Sequence, residues 1–365
     1  MSSAPKSRSL ELSPPTKGIG RIFLESQFCV KPQKVLLTPE TSLSGKTALI
    51  TVSTTSDRIP PFCPIPFCLR SPETSGSSSD MKDYHRLENI RSYFTKGGSD
   101  GLGLLAGRHL LSLNLSRLIL AVRSAEKGER VAAQFRKDFP SALIEVWPLE
   151  MTSYDSVQAL AKRATAEFSG NKRLDIAILN AAVISPQLDV VKATGHCNVI
   201  QVNYISTVLL AILLIPVLRY RPVGDKADCS PGRLSIVNSG MAYAGKFANK
   251  DKRPFLASFD DPKTWDASNQ YAESKTLGHL FLVRLLDHLP AGIEDEVVIN
   301  LVDPGLCKGT ALHRDANGFM AFFLNVSKAL TGRSLEDGAW TYVDAVLTKG
   351  KESHGCFIMD WEIRP

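Results

Sequence analysis

The sequence lacks the features that would assign it to nucleic-acid-binding or membrane-spanning proteins. Its formal net charge of +6 is spread over 365 residues, and no zinc-finger or RNA-reading signature accompanies it. We therefore expect no nucleic-acid partner. The longest apolar run, residues 208–218, is too short to cross a bilayer, and no apolar core with a cleavage site opens the chain. These absences favour a protein with no membrane span and a cytoplasmic location.

Paired cysteines are also missing. The seven cysteines stand at irregular positions, and an odd number in a chain of this length is typical of reduced thiols. Cys63 and Cys68 lie close together in CPIPFC, but the second ligand pair that a zinc site needs is absent. The sequence thus predicts no metal site.

Short apolar runs alternate with amphipathic stretches from residue 45 onward, whereas residues 1–44 show no sustained period and predict a largely irregular N-terminal arm. This alternation predicts an α/β fold, a single Rossmann-like doubly wound parallel sheet with helices on both faces. Asn114 stands where a left-handed helix end is expected, and Ser334 with Asp337 resembles a helix-capping pair. The predicted strands are 46–51, 117–122, 143–147, 174–179, 233–237 and 296–302; the predicted helices are 104–113, 124–139, 155–168, 199–218, one after Tyr271 and one after Ser334.

One segment interrupts this domain of residues 45–365. Residues 52–96 are rich in Ser, Thr and Pro and have no clear helix or strand period. Joining Thr51 directly to Gly97 gives LIT-GGSDGLG, a strand that runs into a glycine-rich turn before a helix. Such glycines let backbone amides approach a pyrophosphate at the positive end of the helix dipole. The segment is either a translated intron or a genuine surface excursion between the strand and its glycines.

Four polar residues further along the chain predict a catalytic group. Tyr271 and Lys275 are four apart and so share one helix face, Ser239 follows the fifth strand, and Asn203 lies in the apolar helix before it. With the glycine turn, this order resembles the classical short-chain dehydrogenase/reductase family. The likeness covers residues 45–51 and 97–365, and is greatest to the branch of retinol dehydrogenases and fungal reductases of specialised metabolism.

The resemblance implies a task for each of these four residues. Tyr271 would donate a proton to the alkoxide formed by hydride transfer, and Lys275 would lower the pKa of Tyr271 and bind the ribose. Ser239 would hold the substrate oxygen, and Asn203 would position a water.

Arg123 indicates which nucleotide is used. It follows the second strand, where a guanidinium attracts a 2'-phosphate that a carboxylate would repel, so NADP(H) is expected. Lys127 either assists or is a solvated helix charge, and Thr310 either bonds the carboxamide or caps a helix. The full set expected to contact the cofactor is Thr51, Gly97, Ser99, Gly101, Leu102, Gly103, Arg123, Lys127, Glu150, Met151, Asn180, Ala181, Tyr271, Lys275, Pro304, Gly305 and Thr310.

The partner expected from the resemblance is a small-molecule substrate: a bulky, partly apolar ketone, aldehyde or alcohol. Phe247, Phe255 and Trp265, in a long stretch between Ser239 and Tyr271, either line its pocket or pack within the loop. The apolar run 208–218 is typical of a helix that meets a second copy, giving a homo-oligomer, or a thick core layer. The alternative function is a catalytically impaired or non-functional nucleotide-binding product, because the glycine loop is interrupted and the C-terminus is short for this branch.

The intron hypothesis predicts that mature transcripts join the codon of Thr51 to that of Gly97. Val52-Ser53 is what a splice-donor GT followed by purines encodes in frame, and a lysine codon at Lys96 can end in the AG of an acceptor. Sequencing of mature messages checks this expectation. If every message carried codons 52–96, the surface excursion would be correct instead.

Overall fold

The computed structural model describes residues 9, 11–13, 16–52, 101–170, 172–219, 230–308 and 332–365. Most of the predicted insertion, including Cys63 and Cys68, lies outside these residues, so the domain boundaries stay a prediction. The same holds for three residues expected to contact the cofactor, Gly97, Ser99 and Thr310.

An eight-stranded sheet forms the centre of the described fold, in the order β3-β2-β1-β4-β5-β6-β7-β8. All neighbouring strands are parallel except β7 and β8. Strand order reverses beside β1, as in doubly wound sheets, and the predicted fold class is confirmed. The strands are β1 (Thr47–Val52), β2 (Arg117–Val122), β3 (Leu143–Pro148), β4 (Ile176–Leu179), β5 (Gly232–Val237), β6 (Val297–Asp303), β7 (Phe357–Met359) and β8 (Glu362–Arg364).

Helices cover both faces because the central strands are buried on both sides. Leu49 packs with the residues of one face, whereas Ile50 faces the helix on the other. Ser124, Ser153 and Ser334 each cap a helix by accepting a backbone N–H. The helices are α1 (Ile19–Phe28), α2 (Leu102–Ser112), α3 (Ala125–Asp138), α4 (Tyr154–Glu167), α5 (Asn198–Leu218), α6 (Ala267–Leu286) and α7 (Leu335–Leu347).

Helix α5 is a core helix with a local irregularity. By length and composition it could cross a membrane, but 61% of its most apolar window is buried, and Leu210, Leu214 and Leu218 lie in the main core. Its first part contains a π-helical stretch, Gln201–Ser206, that carries Asn203. Such stretches are common at functional sites.

One helix and one two-stranded hairpin of the described chain were not predicted. The arm contains α1, whose Ser26 is almost completely buried. At the other end, β7 and β8 form an antiparallel hairpin, so the sheet is not parallel throughout as predicted. Asp360 and Trp361 join these strands with φ of 58° and 60°, the left-handed pair that a two-residue hairpin turn requires. Sequence patterns usually reveal such turns by glycine, which is absent here.

The expected left-handed residue at the end of α2 is confirmed. Asn114 has φ of 65°; its N–H bonds to the Leu111 carbonyl, and the Leu115 N–H bonds to the Leu110 carbonyl. This pairing satisfies the last carbonyls of the helix, and buried Leu115 completes the motif.

We expect Asn114→Ala to lower the free energy of unfolding by about 1 kcal/mol, because a Cβ without a local polar partner is disfavoured in the left-handed region. Asn114 is exposed, so few packing contacts change. Urea denaturation measures the effect. Asn114→Gly is the control and should retain stability; equal losses in both variants would contradict the backbone explanation.

Candidate active site at the carboxyl edge of the sheet

Parallel strands bring most of the predicted functional residues to one edge. Thr51 is the second-last residue of β1, Arg123 follows β2, Asn180 follows β4, Ser239 follows β5 and Pro304 follows β6. We call this the carboxyl edge. In open α/β sheets the ligand crevice lies outside these strand ends, where the strand order reverses.

Thr51 joins β1 to β4 at this edge. Its Oγ1 accepts hydrogen bonds from the backbone N–H groups of Asn180 and Ala181, both at 2.9 Å. The Asn180 side chain donates to the Thr51 carbonyl at 3.1 Å and accepts from the Tyr342 hydroxyl at 3.1 Å. The side chains of Thr51 and Asn180 therefore hold the edge together, whereas sequence reasoning assigned both to the cofactor.

Helix α2 starts at the carboxyl edge in the manner of a phosphate-binding helix. Gly101 precedes its first turn, and no described side chain caps that turn. A Cβ on Gly103 would lie 2.6 Å from Asn180 Nδ2 and 3.5 Å from Ile50, so this glycine lets the helix pack closely on β1 and β4. Uncapped N–H groups and the helix dipole favour a phosphate. Gly101, Leu102 and Gly103 thus fit a dinucleotide.

Four of the residues predicted to contact the cofactor lie in the segments that follow β2 and β3: Arg123, Lys127, Glu150 and Met151. Arg123 is exposed just beyond β2, and the Lys127 N–H is used to cap α3 on Ser124. The Glu150 carboxylate accepts bonds from the Thr152 N–H and hydroxyl at 3.0 and 2.9 Å. Met151 is buried. Of these side chains, the exposed Arg123 guanidinium is therefore the best placed to pair with a charged ligand.

Helix α6 carries Tyr271 and Lys275 to the edge. It begins at Ala267, so Tyr271 lies one turn inside it rather than before it. A hydrogen bond links the Tyr271 and Ser239 side chains. Lys275 Nζ lies 5.6 Å from the Tyr271 ring centroid and donates to the Val237 carbonyl at 2.9 Å. The phenol, hydroxyl and ammonium thus face one region.

Asn203 joins this group from α5. Its side chain accepts the Val183 N–H at 2.8 Å and donates to the Val183 carbonyl at 2.9 Å and to Ser274 Oγ at 3.1 Å. Ser274 precedes Lys275, so Asn203 connects the loop after β4 to the catalytic face of α6. The described contacts of Asn203 are with protein groups, and its expected role in holding a water stays a prediction.

Asp303 is a functional candidate that sequence reasoning missed. It ends β6, is 4% exposed, and accepts backbone hydrogen bonds from Gly240, beside Ser239, and from Gly305. Burial raises the pKa of Asp303 to about 6. The Asp-Pro-Gly order pointed to a turn, but only the fold shows that its carboxylate joins two loops of the site.

The pKa of Tyr271 departs from the expected direction. Burial and the Asp303 carboxylate raise the pKa of Tyr271 above its usual value, although the bond to Ser239 opposes this. The expectation that Lys275 lowers this pKa stays a prediction: Lys275 is not among the groups that shift the pKa of Tyr271 here, and its ammonium donates to the Val237 carbonyl. Burial also lowers the pKa of Lys275 to about 8. The phenol is therefore protonated at neutral pH, as a proton donor must be.

The aromatic residues before Tyr271 pack mainly on one another. Phe247 and Phe255 pack edge-on against Phe259 at centroid distances of 6.3 and 5.2 Å, and Trp265 Nε1 donates to the Gln270 side chain. Of the two interpretations, loop packing is thus favoured for Phe247 and Phe255. Trp265 borders a cavity of about 150 Å³ that also touches Asn269 and Glu273, on the side of α6 away from Tyr271.

Comparisons of the sequence with known proteins agree with this geometry. A family model described as short chain dehydrogenase matches residues 94–230. The chain is 50% identical over 270 residues to the short chain dehydrogenase/reductase mfmJ of Annulohypoxylon moriforme, covering 74% of this chain and 75% of the relative. It is 40% identical over 270 residues to the short chain dehydrogenase virL of Hypocrea virens, covering 74% and 76%.

Solved structures share the fold at low sequence identity. A putative short chain dehydrogenase from Shigella flexneri complexed with NADP has a TM-score of 0.53 and 17% identity, over 87% of this chain and 98% of the other. L-sorbose reductase from Gluconobacter frateurii, complexed with NADPH and L-sorbose, has a TM-score of 0.53 and 16% identity, over 87% and 95%. These likenesses support the architecture alone.

Proposed function

The chain belongs to the short-chain dehydrogenase/reductase family of oxidoreductases, and on that premise we propose that it transfers hydride between NADP(H) and a carbonyl or alcohol group. One observation carries the proposal: Tyr271, Ser239 and Lys275 converge at the carboxyl edge, where a helix that fits a phosphate also begins. The same edge is the ligand crevice of doubly wound sheets.

Each residue then has a chemical task. Bound NADPH supplies a hydride to the carbonyl carbon. Tyr271, held protonated by burial, donates its proton to the oxygen that gains charge. Ser239 stabilises this oxygen by a hydrogen bond that strengthens as the charge develops. Lys275 places its ammonium near the phenolate left behind, and its pKa of about 8 keeps most of it charged at neutral pH.

A preference for NADP(H) is supported by Arg123. The side chain is exposed beyond β2, where it can pair with a 2'-phosphate, and the NADP and NADPH complexes of similar folds are consistent with this choice. Charge-assisted bonds of this kind are among the strongest a side chain makes.

The substrate proposed is a bulky, partly apolar ketone, aldehyde or alcohol of fungal specialised metabolism, as the fungal relatives suggest. We further propose a cytoplasmic enzyme that forms a homo-oligomer. Ile212 of α5 and Leu280 of α6, 47% and 53% exposed, would be covered by a second copy.

The competing proposal is an inactive product with an interrupted glycine loop. Close packing of Gly103 on Asn180 and Ile50 opposes it, since the start of α2 reaches the end of β1 in this chain. Fluorescence titration with NADPH, on the chain with and without residues 52–96, separates the two. Micromolar binding by both forms supports the enzyme, and binding by the shortened form alone supports the inactive product.

We expect Tyr271→Phe to lower kcat by about 100-fold to 10000-fold, the usual contribution of a proton donor, while NADPH binds as tightly as before. Oxidation of NADPH in the presence of bulky aryl ketones and quinones, followed by absorbance, measures the rate. Tyr154→Phe, which removes a hydroxyl bonded to Gln201, is the matched control and should retain activity. Undiminished turnover in Tyr271→Phe would refute the assignment.

Arg123→Glu tests the nucleotide preference. We expect it to weaken NADPH binding by at least about tenfold, or about 1.4 kcal/mol, and to leave NADH binding unchanged or improved. Fluorescence titration with both nucleotides gives the two dissociation constants. Arg130→Glu, an exposed change on α3, controls for net charge. A similar loss for NADH and NADPH would show that Arg123 does not select the 2'-phosphate.

A further inference from the structure

Helix α1 of the N-terminal arm has one almost completely buried residue, Ser26, which anchors it to the fold. Most of α1 is exposed, yet Ser26 is 2% exposed. Ser26 Oγ donates to Asp360 Oδ1 at 2.6 Å, and Arg333 Nη2 donates to the Ser26 carbonyl at 2.8 Å and to its Oγ at 3.1 Å. A helix that served only as a tether would not need a buried polar anchor.

Ser26, Arg333 and Asp360 form a buried cluster, here named the Ser26 cluster. The side chains of Arg333 and Asp360 are each 5% exposed and form a salt bridge, and the guanidinium lies over the Trp361 ring at 4.9 Å. Asp360 and Trp361 are the left-handed turn residues of the β7–β8 hairpin. Removing one partner from a buried charged cluster is costly, so these positions are held firmly.

The Ser26 cluster continues into the Pro304-Gly305 turn after β6. The Arg333 N–H donates to the Leu306 carbonyl at 2.8 Å, and the Lys308 N–H donates to the Arg333 carbonyl at 2.9 Å. Gly305 has φ of 73°, and a Cβ there would lie 2.7 Å from Arg333 Nη1 and 3.2 Å from Gln27 Nε2. The Pro304-Gly305 turn thus passes between Gln27 of α1 and Arg333, which binds Ser26 of α1. A side chain at position 305 would not fit there.

Helix α1 also lies against the second loop of the site. It contacts the short turn Gly240–Ala244, which follows Ser239, and Ile22 packs on the main core. Asp303 joins the same two loops from inside by accepting the N–H groups of Gly240 and Gly305. Helix α1 therefore packs against the same two loops that the Asp303 carboxylate connects.

We propose that α1 is a working part of the active site: Ser26 and Arg333 are positioning residues that hold the Pro304-Gly305 turn and the turn after Ser239 in register. The inference rests on the proposed function for its catalytic meaning, since these loops carry the substrate-binding hydroxyl and border Tyr271. The arm before β1, whose described residues have no part in the sheet, is then required for the geometry of the edge.

Hydrogen exchange of the full-length protein tests this coupling without any turnover. In Ser26→Ala we expect the amides of Lys308 and Arg333 to exchange at least about tenfold faster, because their bonds to the Arg333 and Leu306 carbonyls depend on the buried anchor. Amides of β2, away from the cluster, should be unchanged. Ser26→Thr should restore slow exchange, and Leu24→Ala, an exposed change on the same helix, should have no effect.

Kinetics give a second readout on the same variants. Ser26→Ala should lower kcat/KM for a bulky aryl ketone at least about fivefold while the Kd of NADPH changes less than about twofold, and Ser26→Thr should recover most of the loss. A parallel loss of ketone turnover and NADPH binding, or a loss not recovered by Ser26→Thr, would indicate a general structural defect and overturn the positioning role.

The unaltered protein provides a measurement that needs no variant. Binding of NADPH should slow exchange in α1, because a ligand that orders the turn must stabilise the helix attached to it by the same coupling. The proposal would be overturned if saturating NADPH left exchange in α1 unchanged and Ser26→Ala left exchange at Lys308 unchanged. The enzyme assignment could still stand in that case. If Tyr271→Phe kept full activity, the enzyme assignment would fail while the exchange coupling could still be observed.

Discussion

Parallel strands that end at one edge are the constraint on which the site depends. A parallel ladder places the carboxyl ends of β1, β4, β5 and β6 side by side, so residues far apart in the sequence become neighbours without any long loop. Thr51 is an example, because its hydroxyl accepts hydrogen bonds from two backbone amides just after β4, the strand next to β1. Once these strands are in register, Ser239 and Asp303 have little freedom in where they lie.

Burial governs the electrostatics of this edge more strongly than any single charge pair. Lys275 and Asp303 are buried and Tyr271 is half-buried, and each pKa moves toward the neutral form of its group. The Asp303 carboxylate opposes ionisation of Tyr271 but favours the charged form of Lys275. A site arranged in this way keeps its proton on the phenol until charge develops on a substrate oxygen.

The repeating part of the fold was predictable, and its exceptions were not. Strand β2 was predicted with its observed bounds, because its five residues after Arg117 are all buried and show as an uninterrupted apolar run. Helix α1 was missed because its one almost completely buried residue is a serine, while most of its apolar residues are exposed and form no buried stripe. The β7–β8 turn was missed because Asp and Trp occupy left-handed positions that sequence rules reserve for Gly and Asn. Motif spacing located Tyr271 and Lys275, but the joining role of Asp303 depends on two backbone amides that only the folded chain brings together.

The π-helical stretch in α5 makes helix length itself a determinant of the active site. An α-helix turns by about 100° per residue, so the extra residue held in Gln201–Ser206 changes the direction of everything on its N-terminal side. A single deletion there would leave every side chain chemically intact and still rotate Asn203 away from Ser274 or shift the helix along its axis. Substitution scanning would not detect this dependence, whereas insertions and deletions of one residue would.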